Sequence, residues 1–479
     1  MKSGGFLSGF VKGRSYFTPG QYVLCCFILL CFSGCNRKMA DVQLPYESPQ
    51  TFSLPGEEVA PDRWWQAFED PTLNILVDSA LESNLPLKVF WYQFEESKAI
   101  LTITSAARVP DVFLQLRSGI SRPEPDFAGG ENTQLGLGAS YEADLWGRIR
   151  YSIAAEEYRF RASYYDYKTA AVTLTAEVAL AWFRLKANNI QLQLVDDQLE
   201  TNEQVLALIR NRFASGQVRG VDVLRQRQLI ESTKQQRITL ELQKELLENQ
   251  LSILLGQPPG EVVEASAKMP ELPPLPQTGI PLQLVNRRPD VQRSFSILQA
   301  SDREVAAAIS NRYPRLTFSL NAALRSNDLI GLFESQAISL GSSLLAPIFN
   351  GGRLKAQVDQ AEAIRQQQLN DYGQTVLVAF QEIENALIQE TKQVQQIEVI
   401  AKQVELAEKT FGQLRIEYLN GFIPYLDVLV TLNQLQQLRL DLVNARLDLL
   451  EIRVGLYRAL AGGFETEREL LLQEEIEGL

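Results

Sequence analysis

From Arg148 to Ser215 the chain carries no glycine and no proline. At about 1.5 Å per residue, a helix over that interval would be roughly 100 Å long. Few globular domains are that wide, so the run reads as a rod with something to connect at each end. A seam is visible along it. Leu192, Leu199, Leu206 and Phe213 recur every seven residues, with Val195 and Ile209 between them, which is the spacing of a coiled-coil-like face. Taken alone, the helix also fits a spectrin-like or dimeric coiled coil.

Composition narrows what such a rod can serve. The 479 residues carry a formal net charge of −12, which argues against a nucleic-acid partner. Histidine is absent, which removes His-based acid/base chemistry, His-activated nucleophiles and His-ligated metals. All four cysteines fall at 25, 26, 31 and 35, so the body of the chain has neither a disulfide framework nor a Cys metal site. An enzyme is disfavoured from the start.

The N-terminus accounts for the cysteines. Lys2, Lys12 and Arg14 form a basic, acid-free opening, followed by an apolar run from Tyr22 to Phe32. That run is too short to span a bilayer as a helix but suits the core of a signal peptide. It ends in Phe32-Ser33-Gly34-Cys35, which resembles a bacterial lipobox, with Cys35 the acylated first residue of the mature protein. Without residues 1–34 the chain keeps 43 basic and 58 acidic residues, a charge of −15. The expectation is an exported protein anchored by covalent lipid on Cys35, with no other cofactor and no metal.

Residues 36–62 are rich in Pro, Ser and Glu and read as an extended tether. Asp70-Pro71 marks a helix start that runs to about Arg108, with a break near Pro86. Past Pro110 the texture changes. Leu114 and Leu116 alternate with Gln115 and Arg117, and after a loop-like stretch from Gly119 to Gly130 the alternation becomes cleaner. Leu135, Leu137, Ala139, Tyr141, Ala143 and Leu145 oppose Gln134, Gly136, Gly138, Ser140, Glu142 and Asp144. A strand apolar on one side and polar on the other suits a membrane barrel wall, with lipid outside and water inside. The rod then turns at Gly216, a second helical run covers Val221–Leu255, and Gly256–Pro281 is Pro-rich.

The chain repeats itself. Gly352 lies 205 residues beyond Gly147, Gly421 beyond Gly216, Asp427 beyond Asp222, Tyr372 beyond Tyr167 and Glu382 beyond Glu177. Strand parity survives as well: Leu340, Leu344, Ala346 and Ile348 correspond to Leu135, Ala139, Tyr141 and Ala143. One offset preserved through strand, rod and turn indicates duplication. The expected organisation is a signal peptide over 1–34, a lipidated tether over 35–62, a first repeat over 63–256, a linker over 257–281, a second repeat over 282–463 and a frayed acidic tail over 464–479. The last helix shows its seam in Val428, Leu435, Leu442, Leu449 and Leu456, with Thr431, Leu438, Ala445, Ile452 and Ala459 three residues later in each heptad.

Two strands per repeat make four per chain, and four membrane strands cannot close. An open edge in lipid leaves backbone groups unsatisfied at several kcal/mol each. The missing strands must come from other copies. Two copies would give an eight-stranded barrel filled by its own side chains, and three a twelve-stranded one with room for a pore. A pore-free structural envelope lipoprotein is the rival from another class.

Several motifs resemble the TolC-like outer membrane efflux family, in particular its lipidated NodT-type branch. They are Trp64-Trp65 with Asp70-Pro71, Tyr141-Glu142-Ala143-Asp144-Leu145-Trp146-Gly147-Arg148, Arg288-Pro289-Asp290, Phe349-Asn350-Gly351-Gly352-Arg353, Tyr425-Leu426-Asp427-Val428-Leu429 and Leu456-Tyr457-Arg458-Ala459-Leu460-Ala461-Gly462-Gly463. They span nearly the whole mature chain in the family's order. The resemblance implies an α+β membrane protein: a homotrimer whose twelve-stranded β-barrel lies in the outer membrane, continued by a periplasmic α-helical barrel. It implies the exit duct of a tripartite pump that passively conducts drugs or other toxic small molecules. The partners would be a periplasmic adaptor protein, an inner-membrane pump of RND type and outer-membrane lipid. A duct for secreted polypeptide is the nearer alternative.

The resemblance also implies roles for particular residues. The turns at Gly216 and Gly421 would be the periplasmic tips that meet the adaptor. Family tips read Arg-aromatic-two residues-Gly, which Arg212, Phe213 and Gly216 match, whereas Glu417 replaces the Arg ahead of Tyr418 and Gly421. Relatives close the entrance with an Asp and an Arg three residues later, at positions matching Val430 and Asn433. Closure is therefore expected to be apolar here, through Leu426 and Val430, with Asp427 a candidate lumen ring. Asp222 and Asp427 read as repeat-derived helix caps or lumen charges, not as a carboxylate pair for catalysis.

Overall fold

The computed structural model describes residues 46, 51–54, 61–121, 130–260, 265–278, 287–326, 336–460 and 463–469. The proposed lipidation residue Cys35 and most of the tether lie outside them. After a short 3-10 turn at Trp64–Phe68 come α1 (Pro71–Ser83), α2 (Leu85–Ser105), β1 (Asp111–Ser121), β2 (Gly130–Ala143), α3 (Arg148–Ala214) and α4 (Gly220–Leu254). The second half follows with α5 (Pro289–Ser310), β3 (Arg315–Ser326), β4 (Gln336–Leu345), α6 (Arg353–Leu419) and α7 (Tyr425–Leu460). Helices α3 and α6 are each 67 residues long and start 205 residues apart. Among the described residues no helix is long and apolar enough to cross a membrane.

Two compact units divide the chain, one holding Leu101–Glu156 and Ser301–Arg365, the other Val42–Ile100, Glu157–Ala300 and Gln366–Leu479. The first contains a four-stranded antiparallel sheet in the order β1-β2-β3-β4. Its β2–β3 pairing, with Leu135 opposite Leu324 and Tyr141 opposite Phe318, joins the two repeats. Because opposed residues share a face, the register sorts the side chains cleanly. One face carries Val112, Leu114 and Leu116, then Leu135, Leu137 and Ala139, then Leu320, Ala322 and Leu324, then Ile338 and Leu340. Much of it stands open, with Leu340 79% exposed. The other face carries Gln115, Ser140, Ser319, Asn321, Ser339 and Ser343. Strand β4 ends at Leu345, so Ala346 and Ile348, expected to prolong the alternation, lie beyond it.

The family-like stretch before α3 builds the corner between strand and helix. Asp144 accepts from the backbone N–H of Ile149 at 3.0 Å and of Arg150 at 2.9 Å, capping α3. Glu142 holds Arg148 through two bonds of 2.9 Å. Trp146 donates to the Pro314 carbonyl at 2.7 Å and stacks on Tyr313 with ring centroids 4.9 Å apart. The motif at the second repeat's opening is structural too: buried Arg288 pairs with Asp290 at 2.7 Å and Glu382 at 2.8 Å.

In the second unit the main core forms around Trp64, Trp65 and Phe68 with Leu73 and Val77 of α1, Tyr167 and Trp182 of α3, and Val454 and Tyr457 of α7. Asp70 caps α1, accepting from Thr72 N at 3.1 Å and Leu73 N at 3.3 Å, while its other oxygen takes Trp182 Nε1 at 2.9 Å and Lys186 Nζ at 2.6 Å. The expected break near Pro86 falls at Asn84. Its Oδ1 caps α2 at Leu87 N and its Nδ2 donates to the Leu254 carbonyl, both at 2.9 Å. Residues Phe464 to Glu469 are not frayed as expected: Phe464 meets Trp65 edge-on at 4.9 Å, and Lys168 pairs with Glu469 at 2.8 Å.

The seams differ from the heptads in an instructive way. On α3 the buried line is Val195, Gln198, Asn202, Leu206 and Ile209, while Leu199 is half-buried and Phe213 is exposed. On α7, Val428, Leu435 and Leu456 are buried, but Leu442 and Leu449 are only half-buried, and Leu440, Val443, Leu450 and Val454 take their place. A nearly straight helix drifts about 20° per heptad, so a strict seven-residue line leaves the contact.

Candidate functional site

The turns joining α3 to α4 and α6 to α7 are built alike. Gly216 and Gly421 adopt φ of +75° and +80°, the left-handed conformation that only glycine takes without strain. Beyond each, a backbone N–H reaches back to close the helix: Gln217 to the Arg212 carbonyl at 2.8 Å, and Phe422 to the Glu417 carbonyl at 3.0 Å. Asp222 then sits at the third position of α4 and accepts from the Arg219 N–H at 3.3 Å, with Arg225 3.5 Å away. It is a helix cap, in line with the sequence reading.

The two tips pack on each other. Arg212 donates to the Tyr418 carbonyl at 3.0 Å and the Leu419 carbonyl at 2.6 Å, satisfying the end of α6 from the other hairpin. Its guanidinium lies 4.8 Å from the centre of the Tyr418 ring. Tyr418 meets Tyr425 with centroids 5.6 Å apart, over a cluster that includes Ile209 and Val428. Arg212 and Tyr418 thus face inward, whereas Phe213, Gly216 and Gly421 are exposed. Phe422, which the sequence reading passed over, is 79% exposed at the second tip.

Above the tips a buried polar chain links the hairpins. The Tyr425 hydroxyl donates to Gln226 Oε1, Gln226 Nε2 donates to the Asn202 carbonyl at 2.7 Å, and Asn202 Nδ2 bonds Thr233 Oγ1 at 3.2 Å. Gln436 Nε2 donates to Asn202 Oδ1 at 3.2 Å, and Gln198 Nε2 to the Gln436 carbonyl at 3.3 Å. Burial raises the Tyr425 hydroxyl above the usual tyrosine range, and nearby Tyr418 and Asp222 add to the shift. The phenol therefore remains a donor. Sequence reasoning missed this chain because a Gln or Asn on a long helix reads as solvated; only the pairing of hairpins shows it inside.

The proposed gate residues Leu426, Asp427, Val430 and Asn433 lie together on the exposed face of the first turns of α7, with Val430 57% exposed. Tyr425, Val428 and Leu432 form the opposite, buried face. Leu426 and Val430 are therefore not part of this chain's own hairpin core.

A family model for the outer membrane efflux protein matches residues 76–257 and again 280–462. The pyoverdine export outer membrane protein OpmQ of Pseudomonas aeruginosa is 29% identical over 464 residues, 94% of this chain and 98% of its own. The solvent efflux pump outer membrane protein SrpC of Pseudomonas putida is 27% identical, covering 92% and 98%. The open-state MtrE outer membrane channel of Neisseria gonorrhoeae superposes with a TM-score of 0.82 at 25% identity, over 90% of this chain and 99% of that one. Two matched segments joined by a β2–β3 pairing, with long helices of equal length in each, place this chain in the outer membrane efflux protein family, as an efflux channel of the outer membrane.

Proposed function

We propose that three copies of this chain form the exit duct of a tripartite efflux pump for small organic solutes. The four-stranded sheet carries this reading. Its apolar face is open, its opposite face is polar, and among the described residues β1 and β4 each keep one edge unpaired. Edges of that kind persist in lipid only when another copy pairs with them. Twelve strands leave an opening that eight do not. Cys35 would carry the lipid anchor, which adds a membrane attachment at the start of the mature chain.

The tips support a role in meeting a periplasmic adaptor. Phe213, Gly216 and Gly421 form the outward surface, and Arg212 and Tyr418 hold the two turns together beneath it. The inner-membrane partner would be an RND-type pump, which supplies the energy; the duct itself conducts passively. Leu426 and Val430 would close the entrance by apolar contact between copies, with Asp427 and Asn433 beside them.

The test is the native mass of protein extracted from outer membranes in mild detergent, followed by conductance in planar bilayers. Three lipidated chains and discrete channel currents are expected. A single chain or a pair without currents would instead fit a pore-free envelope lipoprotein.

A further inference from the structure

The polar face of the sheet carries a charge pattern at odds with the acidic chain around it. The register sets Arg117 opposite Gln134, and Gln134 opposite Arg325, so two arginine positions occupy one level of the same face. The next level toward the helices is stripped of bulk: Gln115 lies opposite Gly136, then Ala323, then Ala337. A shallow depression of about 60 Å³ results, floored by Gly136 and Ala323 and walled by Phe113, Gln115, Arg117 and Asn321. With its amide oriented for bonding, Gln115 accepts from Arg117 Nε at 3.0 Å and Nη2 at 3.1 Å, and among the described residues Arg117 makes no ion pair. Among the described residues, the acidic groups on this face lie farther down the strands. Asp111 is six residues from Arg117, about 20 Å at 3.3 Å per residue, and Glu142 is held by Arg148 at 2.9 Å.

Phe113 gives the depression an aromatic end. Its ring covers Gly138 so closely that a Cβ there would come within 2.4 Å of it. From Phe113 to Arg117 the strand advances about 13 Å, a span that side chains from both ends shorten to the length of a small aromatic acid. We propose that this face is a binding station for small aromatic carboxylates or sulfonates, the anion held by the Arg117 guanidinium and the ring laid against Phe113. The inference rests on the reading of the polar face as a channel lumen, where three copies would repeat the Arg117 position three times around one ring.

The probe is 2-naphthalenesulfonate, added from the barrel side of single channels of the full mature protein in planar bilayers. Transient block of the wild-type current is expected, weakening as KCl rises. Arg117→Gln should raise the apparent Kd about tenfold, Arg117→Lys less, as befits loss of a charge-assisted pair. Phe113→Ala should raise it too, while weak block by the neutral 2-naphthalenemethanol should not respond to the arginine changes. Native mass would verify that each variant assembles like the wild type. A wild type that conducts without sulfonate block, or block unchanged in Arg117→Gln, overturns the station and leaves the channel standing. A wild type that carries no current overturns both.

Discussion

Asn202 has no exposed surface, yet its side chain and carbonyl hold three polar partners from α4 and α7. Asn202→Ala leaves the Gln436 amide unpaired in a dry interior, which costs about 1–3 kcal/mol. A lower midpoint in the thermal unfolding of the helical signal should report it. Gln191→Ala, which removes only an exposed bond of 2.6 Å to Asn444, should stay within about 0.5 kcal/mol. Asp70 has a different weakness. Burial alone would raise its carboxyl, but hydrogen bonds from Lys186 and Trp182, the Lys186 charge and the Leu73 N–H together hold it below the usual range. A depressed folded value stabilises the fold above the ordinary aspartate value near 3.9, and that contribution is lost as pH falls through the lower folded one. Asp70→Asn keeps a capping oxygen but leaves Lys186 buried without its counter-charge, a loss of about 3–5 kcal/mol at neutral pH. Its stability should then fall less steeply than the wild type's in acid, as unfolding midpoints across pH would record. The helix start at Asp70-Pro71 was legible because capping is local. The partners Lys186 and Trp182 were not, since more than a hundred residues separate them from the cap.

At the scale of elements, glycines separate turns that need only backbone freedom from those that also need space. Gly216 and Gly421 have positive φ but nothing within 4 Å of where a Cβ would sit, so alanine at either costs only the left-handed strain, about 1–2 kcal/mol. Gly256, also at positive φ, would place a Cβ 2.5 Å from the Ser83 carbonyl oxygen. Gly256→Ala should therefore lower the unfolding midpoint more than Gly216→Ala, and equal effects would show that the contact relaxes freely. These positions were readable because Gly216 and Gly421 recur at the repeat offset and Gly216 closes a run free of Gly and Pro, although α6 carries Gly373 and Gly412 within it. The rods were readable for the same reason, and α3 and α6 prove equal in length. Their true seams were not, because burial on α3 passes through Gln198 and Asn202 while the more conspicuous Phe213 faces out. A heptad of apolar letters finds the flank of such a contact. Strand parity survived because a period of two is set by the pleat, but where β4 stops is decided by pairing with β3 at Arg315.

For the whole molecule, if copies assemble around an axis as proposed, the entrance is where a single side chain is multiplied by the number of copies. Val430 stands 57% exposed beside Leu426 on α7, turned away from this chain's own core. In an assembly around an axis, an apolar face of that kind gains by closing on its equivalents. Replacing Val430 with Asp would exchange that contact for a ring of carboxylates that repel one another and resist losing water. The variant should show larger and more frequent openings in planar bilayers, and cells carrying it should become more susceptible to large antibiotics that the outer membrane normally excludes. Val430→Ile, which enlarges the apolar face, should leave both close to wild type. Openings unchanged in the Asp variant, with native mass and yield intact, would place Val430 away from the conducting path.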